Sequence, residues 1–572
     1  MHLRSPLIRH LILAWWVGLA ASVCGKNILT HTDPMGEKLA ITCPFDEAPN
    51  WCFLPMELQA ENPGKNPADW QVSVSSADYF SGLNLHSSVG FRARPLDASR
   101  GSALVPMGSV TLAGNSFNSY NNFVRVEATR SGGGTGTSSI NTNTRGSSQS
   151  YGSRTALLTA GVGGRLGPSS GTLFNHSQAP GDWRAYCGFH SLYISDTEWG
   201  ELMPAARTAI KHWIRLGGRL LVMRTAAGKS LAEMGLPKSD SGQDTGGVSL
   251  GIVEETTNGD RSGLQGDNEK AMANDWVVRA TSGLAVREWQ GRDRSAFATP
   301  SAKVAAGFML VVVLVFAILV GPLNVFVFAA ARRRHRLFVT TPLISLAAGG
   351  LLVVSVILSD GIGGQGMRYV WLESGPGNDN TNYLVQHQHS RCGAMFATGF
   401  EIPEDAFFAP MMLDSGELSG SLTINLEPGK VKAGGPWFSS RRSQSFFLAA
   451  ARPGRGRIEK SGPDERPVLT SAFDFPIDRI FWLAADGQTW WQAGAMAQGT
   501  ATALQPCTAE EVQRALAAAA AHAPPEYGRD LTSAIRRPGY FLALANAITA
   551  IETHQSIRWQ THGFVTGPVV TP

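Results

Sequence analysis

Residues 304–358 constrain this chain more than any other stretch. They read VAAGFMLVVVLVFAILVGPLNVFVFAA, then ARRRHR, then LFVTTPLISLAAGGLLVVSVIL. At 1.5 Å rise per residue, about 20 apolar residues cross the hydrocarbon core of a bilayer. Each apolar segment meets that length with no charge inside it. The sequence therefore predicts two transmembrane helices, 304–331 and 337–359, joined by a basic loop at 332–336; the competing reading is a pair of buried helices in a soluble core. Arg332, Arg333, Arg334 and Arg336 stand in a loop too short to leave the bilayer surface, and the positive-inside rule assigns them to the cytoplasm. Both large flanking segments are then expected on the external side of a bacterial inner membrane, in a multi-pass arrangement. Pro322, beside Gly321, is expected to kink or loosen the first helix, and Asn324 to hydrogen-bond the second.

The hairpin divides the 572 residues into segments of roughly 275 and 210 residues, each large enough for its own core. Lys and Arg number 49 against 45 Asp and Glu, a formal charge of +4, and 16% of residues are charged, below the usual ~25%. The basic residues form no long cluster outside the 332–336 loop, so no nucleic-acid partner is implied. Residues 1–22 have Arg4 and Arg9 ahead of an apolar run and then small residues, the pattern of a secretory signal. Cys24 follows Ala21-Ser22-Val23, a poor lipidation motif. In an oxidising compartment, proximity suggests Cys43 with Cys52 and Cys392 with Cys507 as disulfide pairs, leaving Cys187 over.

Residues 26–130 alternate in short runs such as WQVSVSS and FVRVEAT, which suits a β-sandwich of the immunoglobulin type. Residues 131–154, SGGGTGTSSINTNTRGSSQSYGSR, read as a flexible linker or long loop. Within 155–300 the pattern changes to α/β. TALLTA and SLYIS are strand candidates, and a helix follows over 197–216, with Asp196 as its cap and Pro204 interrupting its early part. Gly217-Gly218 stop it before the strand RLLVM. Strand, helix, glycine stop and strand make a βαβ unit. Residues 360–572 read as mostly β. A hairpin turn is expected at Asp486-Gly487, and one helix over 509–521, where Thr508 and Glu511 can form a capping box.

The stretch DWRAYCGFHSLYISDTEW, the helix ending in HWIRLGGRLLV, the run Gly321-Pro322-Leu323-Asn324 in an apolar segment and the arginine-rich turn after it resemble a family of uncharacterised bacterial membrane proteins. The resemblance implies an external domain similar to class I glutamine amidotransferases, of flavodoxin-like fold and non-catalytic, then a two-helix membrane hairpin and a β-rich tail. It covers residues 155–572 and implies a fold and an address, with no activity to carry over. A nucleophile elbow requires a cysteine or serine between glycines on a strand-to-helix turn. Cys187, in Tyr186-Cys187-Gly188-Phe189, lacks the first glycine and precedes its strand, so it is a weak catalytic candidate against the plainer reading of a buried thiol.

His387 and His389 alternate on one strand face and form a weak metal-ligand pair; a solvated strand face is the plainer account. Trp482, Trp490 and Trp491 around one hairpin are expected in the core rather than on a sugar or a partner. Asp182, Trp183 and Tyr186 precede a parallel strand, at the wrong end for ligand binding in an α/β sheet. No cofactor is indicated. The sequence thus points to a multidomain membrane protein: an N-terminal β-sandwich, a flavodoxin/amidotransferase-like α/β domain, two transmembrane helices and a β-rich C-terminal domain. Its expected partners are the bilayer and an envelope protein. A scaffold or sensor is the favoured function class, an envelope hydrolase or amidotransferase the alternative, and a transporter subunit lacks the helices and intramembrane charges it would need.

Overall fold

A computed structural model describes residues 26–48, 52–78, 83–108, 123–141, 156–159, 162, 171–189, 191–224, 229–236, 250–256, 306–328, 334–375, 380–411, 420–521, 523–524, 531 and 537–571. The expected signal segment, Cys24, and all of 257–305 lie outside them. The protein is mostly β, with 50% of residues in strands and 20% in helices.

Two sheets form the N-terminal sandwich. The first has β1 (Lys26–Thr32), β2 (Lys38–Cys43), β3 (Cys52–Asn62) and β6 (Asp97–Met107), antiparallel in that order. The second contains β5 (Leu83–Ala93), β4 (Ala68–Asp78), β7 (Phe123–Arg130) and β8 (Thr135–Asn141). Alternation carries the packing: in β4, Ala68, Trp70, Val72 and Val74 are buried while Asp69 and Gln71 are exposed. The strand β8 lies within the stretch expected as a linker. Its low apolar content hid it, because an edge strand with one facing partner needs only Ile140 inward, and Gly136 leaves room for the His31 ring, which a Cβ would meet at 2.6 Å.

The same sheet continues past β5 into strands from beyond the apolar hairpin: β18 (Gly420–Glu427), β19 (Lys430–Gly434) and β16 (Phe400–Pro403). Strands β5 and β18 run parallel, from Leu83 opposite Gly420 to Ser88 opposite Asn425, and the Ser88 hydroxyl donates to Asn425 Oδ1 at 3.0 Å. Chain segments more than 300 residues apart therefore share one sheet.

A smaller parallel sheet has the order β10 (Thr172–Phe174), β9 (Ala156–Thr159), β11 (Ser191–Ser195), β12 (Arg219–Met223), β13 (Ile252–Thr256). The βαβ unit is present, but its helix is two helices, α1 (Asp196–Glu201) and α2 (Pro204–Arg215), with Pro204 at the first position of the second. The cap is Ser195 rather than Asp196: Ser195 and Glu198 form a capping box. Helix α2 buries Ala206, Ala209, Ile210, Trp213 and Ile214. The turn into β12 needs glycine, since Gly217 sits at φ 110° and a Cβ on Gly218 would lie 2.3 Å from the Trp213 ring. The expected flavodoxin/amidotransferase-like domain is not what the described residues form. A doubly wound domain carries helical crossovers on both faces. Here the β10–β11 connection runs through two short 3-10 turns, His176–Gln178 and Trp183–Tyr186, and the only described helical crossover is α1–α2.

Twelve strands make the largest sheet. Its path is β17 (Phe407–Pro410), β20 (Ser443–Pro453), β15 (Thr381–Cys392), β14 (Gly364–Ser374), β28 (Ile557–Val570), β27 (Tyr540–Leu544), β23 (Arg479–Leu483), β24 (Trp490–Ala493), β26 (Gln505–Cys507); β21 (Ile458–Ser461), β22 (Val468–Ser471) and β25 (Ala501–Ala503) branch from β28. The β23–β24 hairpin turns at Gly487, φ 71°, where Asp486 accepts from the Gln488 and Thr489 amides. A capped helix α5 (Ala509–Ala519) starts at Thr508, paired with Glu511.

The sandwich, the parallel sheet and the large sheet share one core. Phe53 meets Phe407 at 5.7 Å between ring centroids, and Trp183 meets Phe407 at 6.3 Å. The Arg184 guanidinium lies 5.0 Å from the Phe53 ring and donates to the Glu404 carbonyl. Phe45 packs between Phe174 and Phe189.

The apolar hairpin consists of α3 (Ala306–Ile318), a π-helical stretch over Leu319–Phe328 and, after a 3-10 turn at Arg334–Arg336, α4 (Leu337–Asp360). The expectation of two transmembrane helices is corrected. One helix, 334–354, is long and apolar enough to cross a membrane by length and composition; the other apolar stretch, 313–327, is shorter. Residues 306–318 are α-helical and 319–328 π-helical around Pro322, which has no N–H for the helical ladder.

Candidate functional site

The hairpin is the part of the chain whose surface is unlike the rest. On α3, Leu310, Val311, Leu314 and Val315 are exposed; on α4, Phe338, Val339, Leu346 and Val353 are exposed. Outside the hairpin, the exposed large apolar side chains among the described residues are Met35, Leu96, Met203, Ile362 and Phe396. Among the described residues of the hairpin one side chain is polar and fully buried, Asn324. Its Nδ2 donates to Thr341 Oγ1 at 2.8 Å, and its Oδ1 accepts from Thr340 Oγ1 at 2.6 Å. The amide thus clasps the two helices one turn from the tip. Gly321 and Pro322 lie in the π-helical stretch just before it, where a Cβ on Gly321 would meet nothing within 4 Å. At the tip, Arg334 and Arg336 are exposed; Arg332 and Arg333 lie outside the described residues.

Helix α4 feeds the head directly. Three residues, Gly361, Ile362 and Gly363, separate it from β14, a central strand of the large sheet. Gly363 adopts φ 85° and packs so closely that a Cβ would lie 2.2 Å from the Ser556 carbonyl oxygen.

His387 and His389 lie far from solvent, each about 1% exposed, in a run of five buried polar residues, Gln386 to Ser390. The expected solvated face is absent: β15 runs between β14 and β20, and both of its faces are covered over residues 386–390. The His387 ring meets Phe447 edge-on at 5.1 Å, and His389 Nδ1 shares a 2.8 Å hydrogen bond with Ser445 Oγ. Burial pushes both imidazoles down to about 3, so they are neutral near pH 7. On the opposite face Gln386 Nε2 donates to the Ile551 carbonyl at 2.9 Å, and its Oε1 accepts from the Ile551 amide at 2.9 Å. Among the described residues no group of three or more His, Cys, Asp and Glu is placed to hold a metal.

Cys187 is fully buried at the end of the 3-10 turn Trp183–Tyr186, ahead of β11, with its thiol toward the Trp183 carbonyl at 3.8 Å. Tyr186 donates to the Pro180 carbonyl, and Asp182 caps the turn while pairing with Arg184. Neither expected disulfide is formed among the described residues. Register explains both. Thr42 stands opposite Glu57, which sets Cys43 about four residues, roughly 13 Å, along β3 from Cys52. Strands β15 and β26 are six places apart in the sheet, roughly 29 Å. Burial raises the thiols of Cys43 and Cys392 to about 12. Trp482 and Trp491 are buried, and Lys460 lies 5.5 Å from the Trp482 ring.

Sequence reasoning missed one cluster at the carboxyl edge of the parallel sheet. Glu198 Oε2 accepts from Thr159 Oγ1 at 2.6 Å and Ser195 Oγ at 2.7 Å, and His176 Nε2 lies 2.8 Å from Glu201 Oε2. The Ser-x-x-Glu spacing was the available signal. Its hydroxyl and carboxylate are engaged in capping α1 and tying β9 to β11, which is a structural use.

No protein-family model matches the chain, and no curated protein is similar to it. Among solved structures, the chain is similar to the Fcho1 Mu homology domain of Danio rerio with bound Eps15 peptide, at 8% identity and TM-score 0.19, over 36% of this chain and 96% of that one. It is also similar to the yeast delta-COP-I mu-homology domain complexed with Dsl1 WxWxV peptide, at 8% identity and TM-score 0.17, over 37% of this chain and 98% of that one. Likenesses this low carry no argument about fold or partner.

Proposed function

We propose that this chain is a non-catalytic, membrane-anchored envelope protein, a scaffold or sensor, whose head binds a protein partner or envelope ligand while the helical hairpin holds it in the bilayer. The observation that carries the reading is the surface of the hairpin. It exposes apolar side chains along both helices and hides the Asn324 amide inside, whereas the head buries most of its apolar residues in one large core and a second small cluster. Such a surface is unfavourable in water by about 25 cal/mol per Å² and at home in lipid. The basic tip supports a cytoplasmic position for Arg334 and Arg336. The pairing of β5 with β18 supports a head lying on one side of the bilayer, since the segments before and after the hairpin share a sheet. The burial of Cys187 and its position ahead of a strand support a role without catalysis.

The test is fractionation of cells expressing the full chain, followed by an alkaline carbonate wash. The chain is expected to stay with the membrane pellet, and a variant with residues 306–360 replaced by a Gly/Ser linker to appear in the soluble fraction. Release of the unaltered chain by carbonate would rule out the anchor.

A further inference from the structure

One end of the N-terminal sandwich is built from four turns, at residues 33–37, 63–67, 94–96 and 131–134, and every residue of these turns is described. Strand register places them together: Lys38 stands opposite Glu61, Asn62 opposite Asp97, Ala68 opposite Ala93 and Trp70 opposite Arg130. Buried polar groups hold them in shape. Asp33 Oδ1 accepts from the Met35 amide at 2.7 Å, and Asn62 donates to the Asn66 carbonyl at 2.8 Å while accepting from the Gly64 amide at 2.9 Å. Arg130 pairs with both Glu37 and Asp33, which ties the last turn to the first. The Leu96 amide donates to the Gly64 carbonyl at 3.1 Å, and Pro34, Pro63, Pro67 and Pro95 restrict the backbone further.

Two of the five exposed large apolar side chains outside the hairpin stand on these turns, Met35 at 72% and Leu96 at 71%. Leu96 is out of place twice over. Its φ of 56° lies in the left-handed region, where a bulky side chain is strained and glycine or asparagine is at ease, and its side chain gains nothing from the core. Neither the turn nor solubility calls for leucine here, and backbone strain of this kind is a mark of functional positions. The surrounding charges are mostly engaged: Lys38 pairs with Glu61, Arg92 with Asp69, and Asp97 accepts from the Ala98 amide. Lys65 follows the Gly64 that holds Leu96, and Arg94 lies two residues before Leu96. Both are exposed, and among the described residues neither has a carboxylate partner.

We propose that this end of the sandwich is the docking surface of the head and fits a protein partner offering an apolar pocket rimmed by carboxylates, with Leu96 and Met35 as anchors and Lys65 and Arg94 meeting the rim. The proposal rests on the reading of the head as a partner-binding module. Three features choose this occupant. The anchors stand on stiff, internally bonded turns, so little conformational entropy is lost when a pocket closes on them. Apolar anchors with charge at their edge are the arrangement of an interface core and its rim. The two cations complement carboxylates and repel their counterparts on a second copy of the chain, while the paired charges around them leave no field of one sign to hold an anionic membrane surface.

The experiment uses the full chain in the cells that naturally make it, with photo-crosslinking benzoylphenylalanine placed at Met35, at Leu96 or, for reference, at Met203, which is exposed between α1 and α2. Captured proteins are identified by mass spectrometry, then purified and titrated against the detergent-solubilised chain. One protein is expected at both Met35 and Leu96 and absent at Met203. Its affinity should fall about tenfold or more with Leu96→Gly, the cost of truncating an interface anchor. The unfolding midpoint of that variant should be unchanged or higher, because glycine adopts φ 56° without strain. Lys65→Glu with Arg94→Glu should weaken binding and reduce its dependence on salt. Any other pattern of protein capture, capture of a second copy or of lipid at Leu96, or an affinity indifferent to Leu96→Gly or to the charge reversal overturns this surface and leaves the partner-binding reading of the head standing. Capture of no protein at any of the three positions overturns that reading and the surface with it.

Discussion

At the scale of single residues, the buried histidines of β15 make the clearest solution prediction. Their imidazoles sit near 3 in the folded protein, against about 6.5 in an unfolded chain. Between those values the unfolded state takes up protons that the folded state refuses. Stability is therefore flat above pH 7 and falls as pH drops through 6.5 toward 3. At pH 5 the loss is about 2 kcal/mol for each histidine. Chemical denaturation of the detergent-solubilised chain at pH 7 and pH 5 measures it, and His387→Gln should reduce the difference by about half. An acid loss unaffected by His387→Gln would mean that the ring titrates in the folded state. The sequence showed that these histidines alternate on a strand but not that the strand is interior, because QHQHS is polar throughout and burial there depends on partners such as Ile551 and Ser445 that are far away in sequence.

At the scale of elements, local chemistry was legible and distant chemistry was not. Thr508 with Glu511, Asp486-Gly487 and Gly217-Gly218 each specify a cap, a turn or a stop within a few residues, and each is present. Ser195 and Asp196 are both competent caps, and the choice fell to Ser195 because Glu198 stands three residues on. The apolar segments were legible as helical, but hydropathy alone counted Pro322 as one more apolar position and missed the π-helical stretch around it. The Asn324 clasp gives this element its own prediction. Asn324→Leu removes hydrogen bonds to Thr340 and Thr341 and should weaken the packing of the π-helical stretch on α4 by about 0.6 to 2 kcal/mol. Unfolding in mixed micelles with increasing dodecyl sulfate reads this as an earlier midpoint. An unchanged midpoint would show that the two threonines find equivalent partners without the amide.

At the scale of the whole molecule, the sheet that joins β5 to β18 matters most. Alternation within 83–93 and 420–427 predicts two strands, yet nothing in either says that they pair, in parallel, across an intervening helical hairpin. Domain boundaries drawn at the hairpin therefore divide a single sheet. The packing of Phe53 and Trp183 on Phe407 ties the parallel sheet into the same unit. If the head is one cooperative unit, damage on the far side of the hairpin must be felt on the near side. Leu422, on β18, is fully buried, and Leu422→Ala should cost about 2 to 5 kcal/mol. Hydrogen exchange of the full chain in micelles locates that loss. The amides of β4, β5 and β7 should lose protection together with those of β18 and β19, because opening β18 strips β5 of one neighbour and uncovers the core beneath Trp70 and Val72. Full protection of β4 and β7 beside an exchanging β18 would instead make residues 400–434 an add-on edge, able to detach while the sandwich stays closed.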